Sequence, residues 1–408
     1  MPACAKRWNT GKGGNIVSWR RVKRKVNANR DYSRRVRKLL HTPETIERAG
    51  EIYRKMTEGR VYLYGIGNAG SLTNALLRKN GIRVEGFFDR CGGEELLFDR
   101  KRVFRSDEST LSACGGRGAV MIVAFLCTEE KFESLRCRLK GLGWESVYYF
   151  QTIRYFFDLC GILVPDGREQ PACPAEEALA RSAAWLADDE SMEILEDFLK
   201  AVINGAPELY ARPSEQEQYF VRDIPFARGY SRFVDCGAFD GDTAMALLRN
   251  QGRAEAMVLF EPDGENFKKL RRRLKETRAA EEQVLFPCGV WEECGLLRFR
   301  SGAASSSGLT EEGDQVVPCV AIDDVIGDFH PTFLKMDIEG AEYRALKGAS
   351  GVIAQDKPDL AISVYHTIEH MWEVPTLLKR LVPEYRFYLR SHAPCGMETI
   401  LYAVTEGA

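Results

Sequence analysis

The apolar positions of this chain change period repeatedly, from helical spacing to strand-like runs and back. Thr42, Pro43 and Glu44 offer an N-cap, a first-turn proline and an early acid, and Ile46, Ile52 and Met56 follow before Gly59, which predicts a helix over 43–59. An apolar run over 61–64 reads as a strand, followed by Gly65, Gly67 and Gly70, a helical pattern over 72–80, a strand over 84–88 and Asp89. A strand over 119–127, a helix over 129–140 stopped by Gly141 and Gly143, and a strand over 146–150 extend this β-α-β unit. The alternation predicts a small parallel sheet ending near residue 155.

Proline, glycine and charge dominate 165–174, and helical patterns follow over 174–187 and 191–204, so this stretch reads as a linker with a helical lead-in. Strands at 232–236, 257–260, 284–286, 332–336 and 360–365 then alternate with helices at 243–250, 265–276, 341–347 and 374–381. The closing strands, 385–390 and 399–404, have no helix between them and predict an antiparallel edge on a parallel sheet. The expected class is α/β with two Rossmann-like parallel-sheet domains: a basic leader 1–45, a domain 46–160, the linker and lead-in 161–229, and a domain 230–408.

Composition narrows the picture. With 45% hydrophobic and 28% charged residues the chain reads as globular rather than disordered. The longest apolar run, 119–127, is too short to span a bilayer, and no secretory leader is evident, so a cytoplasmic location and no transmembrane segment are expected. Residues 1–45 hold thirteen Lys or Arg against Asp31 and Glu44. A solvated, partly helical leader is the preferred reading over an anionic-lipid or nucleic-acid contact, and no nucleic-acid partner is expected. The twelve cysteines form no metal-spaced cluster; with Cys127, Cys236 and Cys319 inside apolar runs, they are expected to be reduced and mostly buried.

The most informative segment is 233–243. Asp235 ends a strand, and Gly237 and Gly241, four apart, let the backbone turn tightly toward a ligand before a helix capped by Asp242 or Thr243. Asp235 either orders the loop or meets the ammonium of a bound amino acid. Glu261 follows Gly241 by twenty residues and precedes Pro262, where a doubly wound fold places the acid that binds ribose hydroxyls. Asp263 offers a separate helix cap, which leaves Glu261 for that role.

Together with Lys335, Asp337, Glu339, Gly340 and Glu342 in 333–343, and with 260–267, 319–324, 363–366 and 399–403, these residues resemble the FkbM family of methyltransferases over roughly residues 190–405. The resemblance implies a class I methyltransferase fold with S-adenosylmethionine as donor. It implies a donor site of Asp235, Gly237, Ala238, Asp240, Gly241, Glu261, Pro262 and Asp337, with the turn at Cys288 and Gly289 near the adenine. It further implies a hydroxylated small-molecule or glycan acceptor, methylated on oxygen.

Methyl transfer to a hydroxyl asks the protein to position the acceptor, exclude water and take up a proton. Asp337, Glu339 and His366 fall at predicted carboxyl ends of strands, the ligand face of open α/β sheets. His366 is the preferred base, since an unperturbed imidazole titrates near pH ~6.5; the alternative is a hydrogen-bonded core histidine. His370 shares a face with it only if the intervening turn is helical. The same three residues offer oxygen and nitrogen ligands to a divalent metal, but no metal is expected: Asp337 is read as orienting Lys335 or the donor, and Glu339 as capping the next helix.

In the first domain, Gly65, Gly67 and Gly70, with Asp89 nineteen residues after Gly70, fit a dinucleotide-binding spacing. The region also resembles the small amino-terminal nucleotide-sugar-binding domains of sugar acyltransferases. A nucleotide-sugar module, a scaffold without ligand and an NAD-dependent activity stay open as readings. For the whole chain, the alternative to an enzyme is a non-catalytic protein with two nucleotide-type pockets.

Overall fold

The computed structural model describes residues 31–93, 95–164, 174–300, 308–309 and 315–405. Most of the basic leader lies outside them. Its end forms helix α1 (Tyr32–Leu40), with Tyr32, Val36 and Leu40 four apart on one buried stripe. The Tyr32 hydroxyl donates to Asp189 at 2.6 Å, so this part of the leader is packed. Helix α2 (Pro43–Glu58) starts at the predicted cap, where the Thr42 hydroxyl accepts from the Thr45 amide at 3.1 Å.

The first sheet is built from β1 (Arg60–Tyr64), α3 (Asn68–Lys79), β2 (Val84–Asp89), β3 (Leu97–Phe98), β4 (Lys101–Arg105), α4 (Glu108–Cys114), β5 (Gly116–Val123), α5 (Glu129–Gly141) and β6 (Trp144–Tyr149). Its order is β3-β4-β2-β1-β5-β6, parallel except at β3. The strand expected to reach residue 127 stops at Val123, which leaves Cys127 in a loop. Phe150 begins helix α6 (Phe150–Leu163) instead of ending a strand. A helix buried on nearly all sides reads as a continuous apolar run, and such a run carries no period to tell it from a strand.

Helices α6, α7 (Pro174–Ala184) and α8 (Asp189–Asn204) stand between this sheet and the next. Ile153, Phe156, Leu179, Ala183, Leu195 and Phe198 lie in one apolar core continuous with residues of both sheets. Part of the expected linker is therefore load shared by both halves; residues 165–173 lie outside the described ones.

The second half runs through β7 (Arg232–Cys236), α9 (Asp242–Gln251), β8 (Ala254–Phe260), α10 (Gly264–Thr277), β9 (Ala280–Phe286), β10 (Gly289–Val290), β11 (Gly295–Arg300), β12 (Gly308–Leu309), β13 (Gln315–Val320), α11 (Ile322–Ile326), β14 (Phe333–Met336), α12 (Glu342–Lys347), α13 (Ser350–Asp356), β15 (Asp359–Ser363), α14 (His370–Leu381), β16 (Arg386–Ser391) and β17 (Thr399–Val404). Seven strands order as β16-β17-β15-β14-β7-β8-β9, and β17 is antiparallel to both neighbours. The closing pair does complete this edge, with the antiparallel strand one position in from the rim. Strand order reverses at β7 and β14, the switch point that opens a crevice at the carboxyl ends. A separate four-stranded sheet, β10-β13-β11-β12, was not anticipated from the apolar pattern.

The ten described cysteines are free; Cys236, Cys288, Cys319 and Cys395 are buried, while Cys91, Cys137 and Cys294 are exposed. The expectation of mostly buried cysteines is thus corrected, because several sit on loops and outward helix faces. Among the described residues, no helix is long and apolar enough to cross a membrane.

Arg390 on β16 is 1% exposed and joins the start of α8 to the second sheet through Asp188 at 2.8 Å and Asp223. Removing one partner of a fully buried pair costs about 3–5 kcal/mol. Asp223 is 35% exposed, so water screens part of this one. Arg390→Ala is expected to lower the unfolding free energy by roughly 2 kcal/mol in urea titration.

Candidate active site

The glycine loop leaves β7 at the switch point. Gly237 has φ of 86° and Gly241 of 90°, both left-handed as the spacing required. A Cβ on Gly237 would lie 2.1 Å from the Asp337 carbonyl oxygen, so only glycine lets the loop approach the end of β14 this closely. The amides of Gly237 and Ala238 both donate to the Phe260 carbonyl at 3.0 Å. Helix α9 has Gly241 as its N-cap with no side-chain cap bond, so neither Asp242 nor Thr243 caps it. Asp240 instead forms a two-bond pair with Arg273 of α10 at 2.7 and 2.9 Å.

Glu261 follows β8 directly, beside this loop. Its Oε2 accepts the Phe239 amide and its Oε1 the Asp263 amide, each at 2.8 Å, while Asp263 caps α10 as expected. An ionised carboxylate has about four acceptor sites, so two remain for hydroxyl donors. Burial pushes Glu261 up to about 7 despite those two amides. Pro262 follows it; Cys288 is buried and Gly289 pairs with Cys319 across β10 and β13.

Beneath the loop, Asp235 and Lys335 face each other on β7 and β14. The ammonium lies 2.9 Å from Asp235 Oδ1 and donates to the Gly237 carbonyl at 2.7 Å, with side chains 0% and 3% exposed. Burial holds Asp235 up at about 6 against the attraction of Lys335. Lys335 is nonetheless raised: burial lowers it, but Asp235, Asp337 and Asp242 outweigh that. Lys335 thus orders the loop through Asp235, and Asp337 is not its partner in an ion pair.

Beyond β14 the chain carries Asp337, then Glu339 at φ of 57° and Gly340 at 99°. This left-handed pair turns Glu339 back toward the end of β15, so it does not cap α12, whose N-cap is Ala341. His366 lies against both acids, with Nε2 3.6 Å from Asp337 Oδ1 and 3.4 Å from Glu339 Oε2. Its Nδ1–H donates to Glu342 Oε1 at 2.9 Å. Glu342 is 0% exposed, also accepts the Ile338 amide, and lies 3.3 Å from His370 Nδ1. The three sequence-predicted catalytic residues therefore converge, and His370 reaches the same acid.

A family model for the methyltransferase FkbM domain matches residues 235–393. Residues 235–393 form an FkbM methyltransferase domain. The crystal structure of methyltransferase FkbM from Methylobacillus flagellatus KT is 25% identical, with a TM-score of 0.62 over 91% of this chain and 98% of that one. That likeness extends across the amino-terminal sheet as well as the FkbM domain. A methyltransferase from Geobacter sulfurreducens is 15% identical, with a TM-score of 0.27 over 59% of this chain and 92% of that one. Fibrillarin from Aeropyrum pernix, solved with natively bound S-adenosyl-L-methionine, is 11% identical, with a TM-score of 0.27 over 44% of this chain and 70% of that one. No curated protein matches the chain.

Several residues of the FkbM domain site carried no assigned role in the sequence. Tyr219, at φ of 70°, donates to Asp337 Oδ2 at 3.0 Å. Tyr365 donates to Glu398 at 3.2 Å, and Gln218 donates to the same acid at 2.8 Å. Arg154 and Tyr155 of α6 donate to the His366 and Tyr365 carbonyls. Only geometry finds these, because they come from four separate stretches of chain. Glu342 had a signal: an acid on the first turn of a helix, three residues past Glu339.

In the amino-terminal sheet, Asp89 accepts the Ile66 amide at 3.3 Å and the Cys91 amide at 3.0 Å. A Cβ on Gly70 would lie 2.1 Å from the Gly65 carbonyl oxygen, which accounts for that glycine. Gly67 is the N-cap of α3 with no side-chain cap bond.

The acids around His366 reverse the effect of its burial and raise it to about 9, with Glu342 the largest contributor. Its stabilising pairing is complete below the unfolded value near ~6.5 and is lost as pH rises through about 9. Glu342→Gln is expected to lower the His366 pKa by more than about one unit and to flatten the fall in stability between those values. Imidazole NMR titration and urea unfolding at pH 6 and 9.5 check this; an unchanged titration would remove Glu342 as the controlling partner.

Proposed function

We propose that this methyltransferase transfers a methyl group from S-adenosylmethionine to a hydroxyl of a sugar or other hydroxylated small molecule. The observation that carries the reading is the convergence of Asp337, Glu339 and His366 at the carboxyl end of β14 and β15, beside the glycine loop. When bound, S-adenosylmethionine supplies an activated methyl group. The residues fit such a donor: Glu261 keeps acceptor capacity for ribose hydroxyls, and the close-set loop from Gly237 to Gly241 offers a wall without protruding side chains at its glycines.

On the acceptor side, the chain holds the hydroxyl and takes its proton. His366 was the expected base on its ordinary pKa, but the surrounding carboxylates keep its imidazole protonated near neutrality. A protonated imidazole positions and neutralises. Glu339 is the better proton acceptor: burial raises it to about 7, near working pH, and 31% of its side chain meets solvent. Asp337, held by Tyr219, steadies the site between donor loop and imidazole.

Calorimetric titration with S-adenosylmethionine and S-adenosylhomocysteine tests the donor site, with wild type expected to bind and Glu261→Ala to lose at least about tenfold in affinity. Absence of binding by wild type would return the chain to a non-catalytic binding protein. With labelled donor and a panel of sugar and polyol acceptors, Asp337→Asn is expected to lower turnover at least about tenfold. Turnover should rise with pH through about 7 as Glu339 ionises, and Glu339→Gln should abolish that rise; an unaltered profile would exclude Glu339 as base.

A further inference from the structure

The two nitrogens of His366 have different surroundings. Nδ1–H is committed to Glu342, a fully buried acid fixed in turn by the Ile338 amide at 2.9 Å and the Gly340 amide at 3.4 Å. A cation would displace the Nε2 proton, and the Glu342 bond then holds the ring in the tautomer whose Nε2 lone pair faces Asp337 and Glu339; a carboxylate behind the imidazole is the usual support of a metal-ligating histidine. Nε2 itself is buried and has no hydrogen-bond partner among the described residues.

The nearest carboxylate oxygens to Nε2, at 3.4 and 3.6 Å, are too far for good hydrogen bonds. Donors ~2.1 Å from a divalent cation stand roughly 3.0–3.4 Å apart in octahedral or tetrahedral coordination, so the Glu339 separation falls within that range and the Asp337 one just outside it. Asp337, Glu342 and His366 already present ligand atoms within 4.8 Å of one another. Glu339 stands outside that trio but brings a carboxylate oxygen to 3.4 Å from His366 Nε2, on a left-handed backbone, a costly conformation of the kind that gathers at functional sites. Side-chain exposures of 23% for Asp337 and 31% for Glu339, against 9% for His366, leave an opening on the carboxylate side.

Charge points the same way. Asp337, Glu339, Glu342 and Glu398 are gathered around one imidazole, with Tyr365 bridging Asp337 at 3.4 Å and Glu398 at 3.2 Å. We propose that His366 Nε2, Asp337 and Glu339 hold a divalent cation of the first transition row, such as Mn²⁺ or Zn²⁺, with Glu342 as the supporting outer carboxylate. One imidazole among carboxylates suits those ions better than Ca²⁺ or Mg²⁺. This rests on the reading of the cluster as the acceptor side, where the cation would fix the acceptor oxygen and ease loss of its proton to the unbound oxygen of Glu339.

The experiment uses the full chain after chelator treatment and dialysis, titrated with MnCl₂ by electron paramagnetic resonance and with ZnCl₂ by calorimetry. One ion per chain is expected, with affinity at least about tenfold weaker in His366→Gln and in Asp337→Asn, and about 10–100-fold weaker in Glu342→Gln. Thermal melts confirm that the variants fold, and Asp337→Asn, at a partly exposed position, keeps the test open if the buried variants do not. Wild type indistinguishable from Asp337→Asn would overturn the site and leave the imidazole in long ion pairs with both acids. Parallel titration with S-adenosylmethionine separates the two readings. Donor binding without the cation sinks only the metal site, whereas cation binding without the donor sinks the methyl-transfer reading.

Discussion

The buried pair of Asp235 and Lys335 is the interaction on which the FkbM domain site depends. It bridges β7, which carries the glycine loop, and β14, which carries the acids, at the point where the sheet reverses its order. Two charges this deep are expensive to remove from water, and the cost is offset only by close pairing and a further hydrogen bond. Lys335 supplies that bond to the Gly237 carbonyl, so the same ammonium fixes the loop whose glycine packs on the Asp337 backbone. Glycine loop and acid cluster are thereby tied together by one ammonium group.

A second constraint comes from outside the FkbM domain. The turn after β15 is irregular, and its carbonyls at Tyr365 and His366 would otherwise lack strand partners. Arg154 and Tyr155 of α6 take them, from a helix whose other faces belong to the core shared with the first sheet. The imidazole is thus held from two sides, by Glu342 through its ring and by α6 through its backbone. This gives the amino-terminal half a physical part in the site whether or not it binds a ligand of its own. It also fits the solved FkbM methyltransferase, whose likeness covers nearly the whole chain.

Much of the sheet framework was legible because parallel strands buried on both faces appear as apolar runs with glycine or acid at their carboxyl ends. β7 and β17 end where the pattern placed them. Helix α6 was not legible, since Phe150, Ile153, Phe156 and Phe157 bury several faces and leave no polar stripe. The site divided in the same way. Asp337, Glu339 and His366 stood out because strand ends are visible in sequence. Their charge states did not, because they depend on Glu342 and Glu398 meeting them in space, and a pKa near 7 for an acid or 9 for an imidazole has no local sequence signature.

The two glycine turns show why turn chemistry alone does not settle function. Asp89 and Glu261 each end a second strand, and each accepts two backbone amides, one from its glycine turn. What differs is the strand opposite. The turn after β7 packs against Asp337, with Glu339 and His366 beyond it. The amino-terminal turn packs against Ala124 and Phe125, whose ring stands edge-on to Tyr64. Neither Ala124 nor Phe125 can carry a proton or stabilise a developing charge. The amino-terminal turn therefore has a backbone like that of the other glycine turn but faces an apolar wall. The acids that meet an imidazole lie instead where the other glycine turn reaches the carboxyl end of β14.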